Sequence, residues 1–463
     1  MKVLLMRPIE SRVAKSGDVM PPLGLAYIAS VLEKEGMAVK VLDCPALRPS
    51  LEEMRQGIKK ENPDVLGISC MTTVMPSAMK IANLAKEILP DCVIILGGPH
   101  VTALPKEALL ENPNVDVVVV GEGENTMLEL CRSLINENSL DIVLGIAFRK
   151  SGKIIVTPPR PLIGNLDEIP FPARHLLPME KYSMATSKRS PCTTMIASRG
   201  CPYLCKYCSS HIIHGRRIRI RSVDNVLSEI KYVQDKYRVK DIAFMDDTFT
   251  VKWKWVHEFC DEIVNEKVDV SWQCQTSVKN VNYDLLLHMK KAGCYMINYG
   301  VEFGSQRILD ATRKGIKLDE VERAFRLTNK VGIATYAYFM MGYPGENIAD
   351  IRKTMKLSRT LNLDFVQFSI YTPFPGSESY NEHHDMIKDR DWGSFDYAYT
   401  PVIETGGFSR GDILKLYNQA YREFYIRPSY IFKRLISIRS YANLKNKLSG
   451  GMALLRFLLK KGN

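Results

Sequence analysis

The chain has 463 residues, 46% of them hydrophobic and 25% charged, an ordinary globular composition with material for about three domains at roughly 150 residues each. No run of about 18 apolar residues occurs, which excludes a membrane-spanning helix by hydropathy, and the opening Met1 to Pro8 run reads as a short strand, not a secretory signal. The net charge is +12, and eleven cysteines, an odd number with three in one tight group, argue against a secreted disulfide framework and for a reducing cytoplasm.

Residues 1–150 alternate short Val-, Ile- and Leu-rich runs with helix-period segments. The runs are Val3 to Met6, Val39 to Leu42, Val65 to Ser69, Val93 to Leu96, Val117 to Val120 and Ile142 to Phe148. Gly24 to Glu35, Pro76 to Leu89 and Thr126 to Asn136 have apolar residues at three- and four-residue steps. The alternation predicts an α/β, doubly wound, Rossmann-like domain around a parallel sheet. Ligands of such sheets sit beyond the strand carboxyl ends. The loops there are Ser69-Cys70-Met71-Thr72-Thr73, Gly97-Gly98-Pro99-His100 and Gly121-Glu122-Gly123-Glu124, preceded by Pro21-Pro22-Leu23-Gly24. Their small residues and hydroxyls let a large ligand approach backbone, although ordinary strand–helix turns use the same residues.

Residues 151–190 hold Pro158, Pro159, Pro161, Pro170, Pro172 and Pro178 and read as an extended connector. Next comes Gly200-Cys201-Pro202-Tyr203-Leu204-Cys205-Lys206-Tyr207-Cys208, after a short apolar segment. Three thiolates so close converge on one metal centre, and soft sulfur favours zinc or iron–sulfur. Zinc wants a fourth ligand at similar spacing, for which His211 and His214 are the nearby candidates. Three cysteines on an iron–sulfur cluster leave one iron open.

Residues 191–380 form a second βα series. Its later strands read as Asp241 to Met245, Val270 to Ser277, Tyr295 to Val301, Ala334 to Met341 and Phe365 to Tyr371. Asp246-Asp247 closes the second strand, Gln273, Gln275 and Ser277 share one face of the third, Glu302 closes the fourth, and Gly342-Tyr343-Pro344-Gly345-Glu346 follows the fifth. His383-His384-Asp385 looks metal-like, but adjacent residues do not share a helix face, and a surface loop is expected. Residues 381–463 are expected to be helical. From Arg427 onward there are nine basic residues and no acidic one, with aliphatic residues between. Two readings stay open, contact with an anionic membrane surface and a helical cap with a solvated basic face. Nucleic acid is disfavoured, because a base-stacking surface would want exposed aromatics among the charges.

The CxxxCxxC spacing of Cys201, Cys205 and Cys208, with Tyr207 before the last cysteine, resembles the signature of the radical S-adenosylmethionine (radical SAM) enzymes. The resemblance implies a partial (β/α)6 TIM-like barrel over residues 191–380. It also implies a 4Fe-4S cluster on the three cysteines and S-adenosylmethionine on the fourth iron. Asp246 or Asp247 would then accept from the methionyl ammonium, Glu302 from ribose hydroxyls, and Tyr207 and Gly342 would flank the adenine. The first domain resembles the cobalamin-binding domain of one radical SAM subgroup. In that likeness Ser69, Thr72, Thr73, Gly97, Gly98, Gly121, Glu122 and Gly123 line the cofactor. Pro22, Leu23 and Gly24 stand where many cobalamin proteins carry a cobalt-ligating histidine. No histidine precedes His100, so the lower cobalt face is expected to lack one; for His100 itself, contact with the corrin and a structural role both stay open.

What the likeness implies is a cytoplasmic enzyme that removes hydrogen from an unactivated carbon through a 5'-deoxyadenosyl radical and methylates it from methylcobalamin. Its substrate would be small and hydrophobic, a lipid or tetrapyrrole, and an electron-donor protein would serve it. The subgroup also contains oxidative cyclases and ring-rearranging enzymes, so methyl transfer and cyclisation both stay open. A cobalamin sensor would need no cysteine loop. A methylthiotransferase would need a second cysteine cluster upstream, yet Cys44, Cys70, Cys92 and Cys131 are far apart.

Overall fold

A computed structural model describes residues 1–9, 18–398, 400–405 and 407–436. The first sheet has seven strands, β1 (Lys2–Arg7), β2 (Ala38–Asp43), β3 (Val65–Ser69), β4 (Val93–Gly97), β5 (Val117–Val119), β6 (Ile146–Lys150) and β7 (Lys153–Val156), in spatial order 2-1-3-4-5-6-7. β1 to β5 are parallel, with helices on both faces. That double cover explains why these strands are almost continuously apolar. The order reverses between β1 and β3, where a doubly wound sheet opens its ligand crevice.

Two features depart from the sequence reading. Leu140–Ile142 is a 3-10 turn, and the strand expected from Ile142 starts at Ile146. The sheet also runs past residue 150 into the proline-rich stretch. Ser151 and Gly152, both at positive φ, make a two-residue turn of the kind that matches strand twist, and β7 pairs antiparallel with β6.

The rest of the connector is packed. Leu166 and Ile169 are buried against Leu23, Tyr27 and Val31. Arg174 is fully buried, donating to Glu229 Oε1 at 2.5 Å and the Thr194 carbonyl at 2.9 Å, and Arg221 holds the other Glu229 oxygen. These bonds fasten the connector to the second sheet.

That second sheet is an open, all-parallel half-barrel of β8 (Cys192–Met195), β11 (Asp241–Phe244), β12 (Ser271–Thr276), β13 (Cys294–Glu302), β14 (Ala334–Met341) and β15 (Phe365–Ile370), in order 15-14-13-12-11-8. A short antiparallel ribbon, β9 (Ser198–Arg199) with β10 (Arg219–Ile220), stands beyond β8 and brackets the cysteine loop. Buried and half-buried residues alternate along β14 and β15. One face packs on the helices, where Trp272, Phe259 and Phe325 are fully buried, and the other lines the half-barrel's interior.

β15 is an edge, and its backbone groups are covered from the C-terminal region. Tyr421 and Tyr425 of the helix Arg410–Tyr425 exchange hydrogen bonds with the backbone of Phe368 and Val366. Side chains thereby satisfy an edge that would otherwise pair with another chain. The next helix begins as part of the same cap: Arg427 donates to the Arg359 carbonyl and Tyr430 to that of Asp364. Of the basic tail, residues 437–463 lie outside the described residues. No helix among those described is long and apolar enough to cross a membrane.

Candidate active site

The cysteine loop leaves β9 through Gly200, whose φ is +96°. A Cβ there would stand 2.4 Å from the Arg217 carbonyl oxygen, so only glycine allows the ribbon to close this tightly. The loop is held by Cys201 N donating to the Gly215 carbonyl and Lys206 N to that of Thr312. Cys201, Cys205 and Cys208 are half-buried and unpaired. Cys208 Sγ has Ser210 Oγ at 3.4 Å. His211 and His214 sit on the helical turn after the loop, where His214 is engaged by Glu122.

Tyr207 lies edge-on to Phe303, ring centroids 6.4 Å apart. Its buried hydroxyl has no nitrogen or oxygen partner, and burial, followed by the nearby Glu302 charge, pushes the phenol well above its usual range. The hydroxyl is instead hydrogen-bonded to the Cys205 thiol, so the ring braces the cysteine loop.

The two aspartates after β11 are separated by the structure. Asp246 is 1% exposed and accepts from Ser198 Oγ at 2.5 Å and Ala197 N at 3.1 Å. Burial raises its carboxyl to about 6. Asp246 therefore ties the end of β8 to β11 and is a scaffold residue. Asp247 is exposed and hydrogen-bonded to Ser210, with His214 and Cys201 nearby. Glu302 has φ +70°, at a register shift in the β13–β14 pairing. Its carboxylate pairs with Lys314 at 3.0 Å, a residue that no motif in the chain singles out. Gly300 makes room, since a Cβ there would stand 2.7 Å from Glu302 Oε1 and 2.9 Å from Lys314 Nζ. Burial opposes the Lys314 charge, but Glu302 and Cys205 outweigh it and raise its pKa. Gly342, at φ +87°, and Tyr343 donate to Glu346 Oε2 at 2.7 and 2.9 Å. Burial pushes that carboxyl up to about 8, and its other oxygen has no partner. Glu346 therefore shapes the Gly342–Gly345 turn.

In the first domain, Ser69 and Gly97 pair at the carboxyl ends of β3 and β4. Gly98, at φ +114°, brings its backbone against Cys70; an added Cβ would be 2.8 Å from the Cys70 carbonyl. Thr72 Oγ1 and His100 Nδ1 are 3.3 Å apart. His100 is buried and lies 4.6 Å, edge to face, from Trp392 of the C-terminal region. Burial lowers its pKa to about 4, so at neutral pH the ring is uncharged. Thr73 is half-buried at the start of the following helix. Gly121 donates to Thr102 Oγ1, and Gly123 packs its α-carbon against Ile28. Pro22 precedes the helix Leu23–Lys34. Leu23 turns into the connector, while Gly24 has open space over its α-carbon.

Glu122 differs most from the sequence expectation. It accepts from both Arg219 nitrogens at 2.9 Å, from Arg199 at 3.1 Å and from Ile163 N at 2.9 Å, with His214 Nδ1 at 3.2 Å. Arg199 also holds Glu124 at 2.5 Å. Burial works to raise the Glu122 carboxyl, but the bonds to His214 and Arg219 and the Arg199 charge hold it well below the usual carboxylate range. Both Glu122 oxygens are thus engaged by the protein itself. Glu122 locks the loop after β5 onto the ribbon that carries Cys201, so the ligand edge of the first sheet and the cysteine loop share one buried ionic joint. His383, by contrast, bonds Tyr371 Oη at the end of a short helix, not in a loop, and forms no cluster with His384 and Asp385.

Residues 10–131 match the B12 binding domain family and residues 195–358 the Radical SAM superfamily. An uncharacterized methyltransferase of Pyrococcus horikoshii is 36% identical over 94% of both chains. The anaerobic magnesium-protoporphyrin IX monomethyl ester cyclase of Rubrivivax gelatinosus is 30% identical over 93% of this chain and 78% of its own. In fold, the chain is similar to the radical SAM methyltransferase TsrM of Kitasatospora setae, solved with cobalamin and a [4Fe-4S] cluster, at TM-score 0.72 and 16% identity over 92% of this chain and 89% of that one. Three open thiols on a glycine-hinged loop and a cobalamin-type sheet edge joined to it through Glu122 are the two halves of one architecture, and the chain belongs to the cobalamin-dependent radical SAM enzymes.

Proposed function

We propose that this enzyme is a C-methyltransferase acting on an unactivated carbon of a small, largely apolar substrate. The observation that carries the reading is near-full-length similarity to a methyltransferase. The joint that sets the two cofactor-binding edges side by side supports it. In this reading Cys201, Cys205 and Cys208 hold the cluster. Asp247 meets the methionyl ammonium, because an ionised carboxylate only accepts. Glu302, steadied by Lys314, accepts ribose hydroxyls, and Tyr207 and the Gly342 turn flank the adenine. Ser69, Thr72, Gly97 and Gly98 line the cobalamin side, with Pro22 and Gly24 at its rim. When bound, the cluster with S-adenosylmethionine supplies hydrogen abstraction and cobalamin supplies the methyl group. Asp246, Glu346 and the Glu122 joint keep these side chains and the loop in place, and the half-barrel's strands shield the interior from water.

The test is anaerobic reconstitution with hydroxocobalamin and iron and sulfide, followed by assay of deoxyadenosine and S-adenosylhomocysteine under reducing conditions. Both products with near-stoichiometric cobalamin are expected. Deoxyadenosine alone would favour the second reading, oxidative cyclisation, which the similarity to a cyclase supports. For the tail, the density of basic residues from Arg427 supports peripheral contact with anionic lipid. Co-sedimentation with phosphatidylserine vesicles at low salt, lost on truncation after residue 436, tests it.

A further inference from the structure

Among the described residues, one trio of side chains brings metal-ligating atoms within 4.8 Å of one another: His257, Asp284 and His288. They lie apart from the cysteine loop, on two neighbouring helices of the outer layer, Trp253–Asn265 and Tyr283–Lys291. His257 Nε2 stands 3.6 Å from one Asp284 oxygen, and His288 Nδ1 stands 3.6 Å from the other. The two rings meet edge to face, centroids 4.6 Å apart. In a tetrahedral zinc site with bonds of about 2.0–2.1 Å, neighbouring ligand atoms are roughly 3.3–3.4 Å apart. With one ligand atom from each residue lying within 4.8 Å of the others, the trio must draw in by up to about 1.5 Å to reach that spacing, within reach of small side-chain rotations.

Two further features suit a metal. His288 Nδ1 is 2.9 Å from the Asp284 carbonyl oxygen. Donation to that carbonyl leaves the free lone pair on Nε2, so Nε2 and not Nδ1 is the ligating nitrogen, oriented by a second partner as metal-bound imidazoles are. The ligands also sit on a rigid base, since Val256 and Cys260 on one helix and Leu285 and Met289 on the other are buried in the barrel core. Rigid elements hold first-coordination groups more closely than loops do. All three side chains are partly solvent-exposed, so an ion and its waters can enter.

We propose that His257, Asp284 and His288 form a mononuclear site for a borderline divalent transition ion, zinc above all, with water completing the coordination. Two imidazoles and a carboxylate are the donor set that selects zinc, cobalt or nickel over magnesium or calcium. The ion ties the helix after β11 to the helix after β12 and adds a cross-link on the outside of the half-barrel, independent of the reaction centre.

The experiment uses the full chain with its cluster and cobalamin loaded, dialysed against micromolar zinc and analysed for zinc and iron together. About one zinc per chain is expected. His257→Ala and His288→Ala should each weaken zinc binding by about tenfold or more, while iron content and S-adenosylmethionine cleavage stay at the parent level. A Cys201→Ala, Cys205→Ala, Cys208→Ala variant should keep the zinc, which separates this site from the cysteines. Zinc should also raise the thermal midpoint of the parent and leave that of the His257→Ala, His288→Ala double variant unmoved. The proposal is overturned if the loaded parent retains no zinc, or if the double variant retains as much as the parent.

Discussion

Glu122→Gln removes one negative charge from a joint in which Glu122, Arg199 and Arg219 are each 4–6% exposed. Arg199 keeps Glu124. Arg219 keeps only the carbonyls of Ile163 and His214, so one guanidinium is left buried without a counter-charge. Removing one partner of a buried pair costs roughly 3–5 kcal/mol; because Arg199 is still compensated, the low end, about 3 kcal/mol, applies. At roughly 2–4 °C per kcal/mol for a cooperative unit of 150–250 residues, the melting transition should fall by about 6–12 °C. The assay is calorimetry of the full chain, alone and with Arg219→Met added. Taking away the stranded guanidinium should recover at least half the loss. The carboxyl is depressed in the fold, so its contribution is present above the unfolded value near 4.3 and lost as pH falls below about 4. The gap between parent and variant should close in acid. If Glu122→Gln melts within a degree or two of the parent, or if the double variant is no more stable than the single one, the ionic joint does not hold the two halves together.

Gly300→Ala places a Cβ within 3 Å of both Glu302 Oε1 and Lys314 Nζ; overpacking of about 1–3 kcal/mol should cut deoxyadenosine formation by about tenfold or more with iron content intact. Gly98→Ala combines φ +114° with a 2.8 Å approach to the Cys70 carbonyl, and the loaded protein should lose cobalamin on gel filtration while keeping its iron. Asp247→Asn should weaken S-adenosylmethionine binding, measured by equilibrium dialysis, without loss of iron, whereas Asp246→Asn should lower iron incorporation because it loosens Ala197 and Ser198 beside the loop. His100 is neutral in the fold with its pKa near 4, below the unfolded value of about 6.5. Its burial therefore costs stability as pH falls from about 6.5 toward 4, roughly 2 kcal/mol by pH 5, and urea titrations of His100→Gln should show a shallower acid loss than the parent.

Much of the fold is legible because parallel strands covered on both faces are short apolar blocks, and the five parallel strands of the first sheet stand where such blocks occur. β7 is not legible in the same way. Its four residues are two lysine- and valine-ended positions around two isoleucines, crowded against prolines, and only the Ser151-Gly152 turn betrays it. The capping of β15 is illegible for a different reason. A tyrosine that replaces a missing strand looks in sequence like any amphipathic helix residue, and Tyr421 and Tyr425 are recognised only when their hydroxyls meet Phe368 and Val366.

The cysteine loop is readable because its ligands are consecutive, and spacing alone carries the chemistry. Residues that act across long separations leave no such trace. Glu122 meets Arg199 and Arg219 from 77 and 97 positions away, and in sequence it is one acidic residue in a glycine-rich turn, indistinguishable from a ligand. Asp246 and Asp247 pose the same problem at the shortest range. Successive residues of an extended chain point to opposite sides, so one of the two must turn inward, but the chain does not say which. The deciding fact is that Ser198 and Ala197, at the end of a neighbouring strand, offer two donors to the first carboxylate. A carboxylate engaged on both oxygens by donors of its own scaffold is held in place and has less acceptor capacity to offer a ligand. Scaffold hydrogen bonds, which position in the chain does not reveal, hold Asp246 and Glu122 and leave Asp247 exposed.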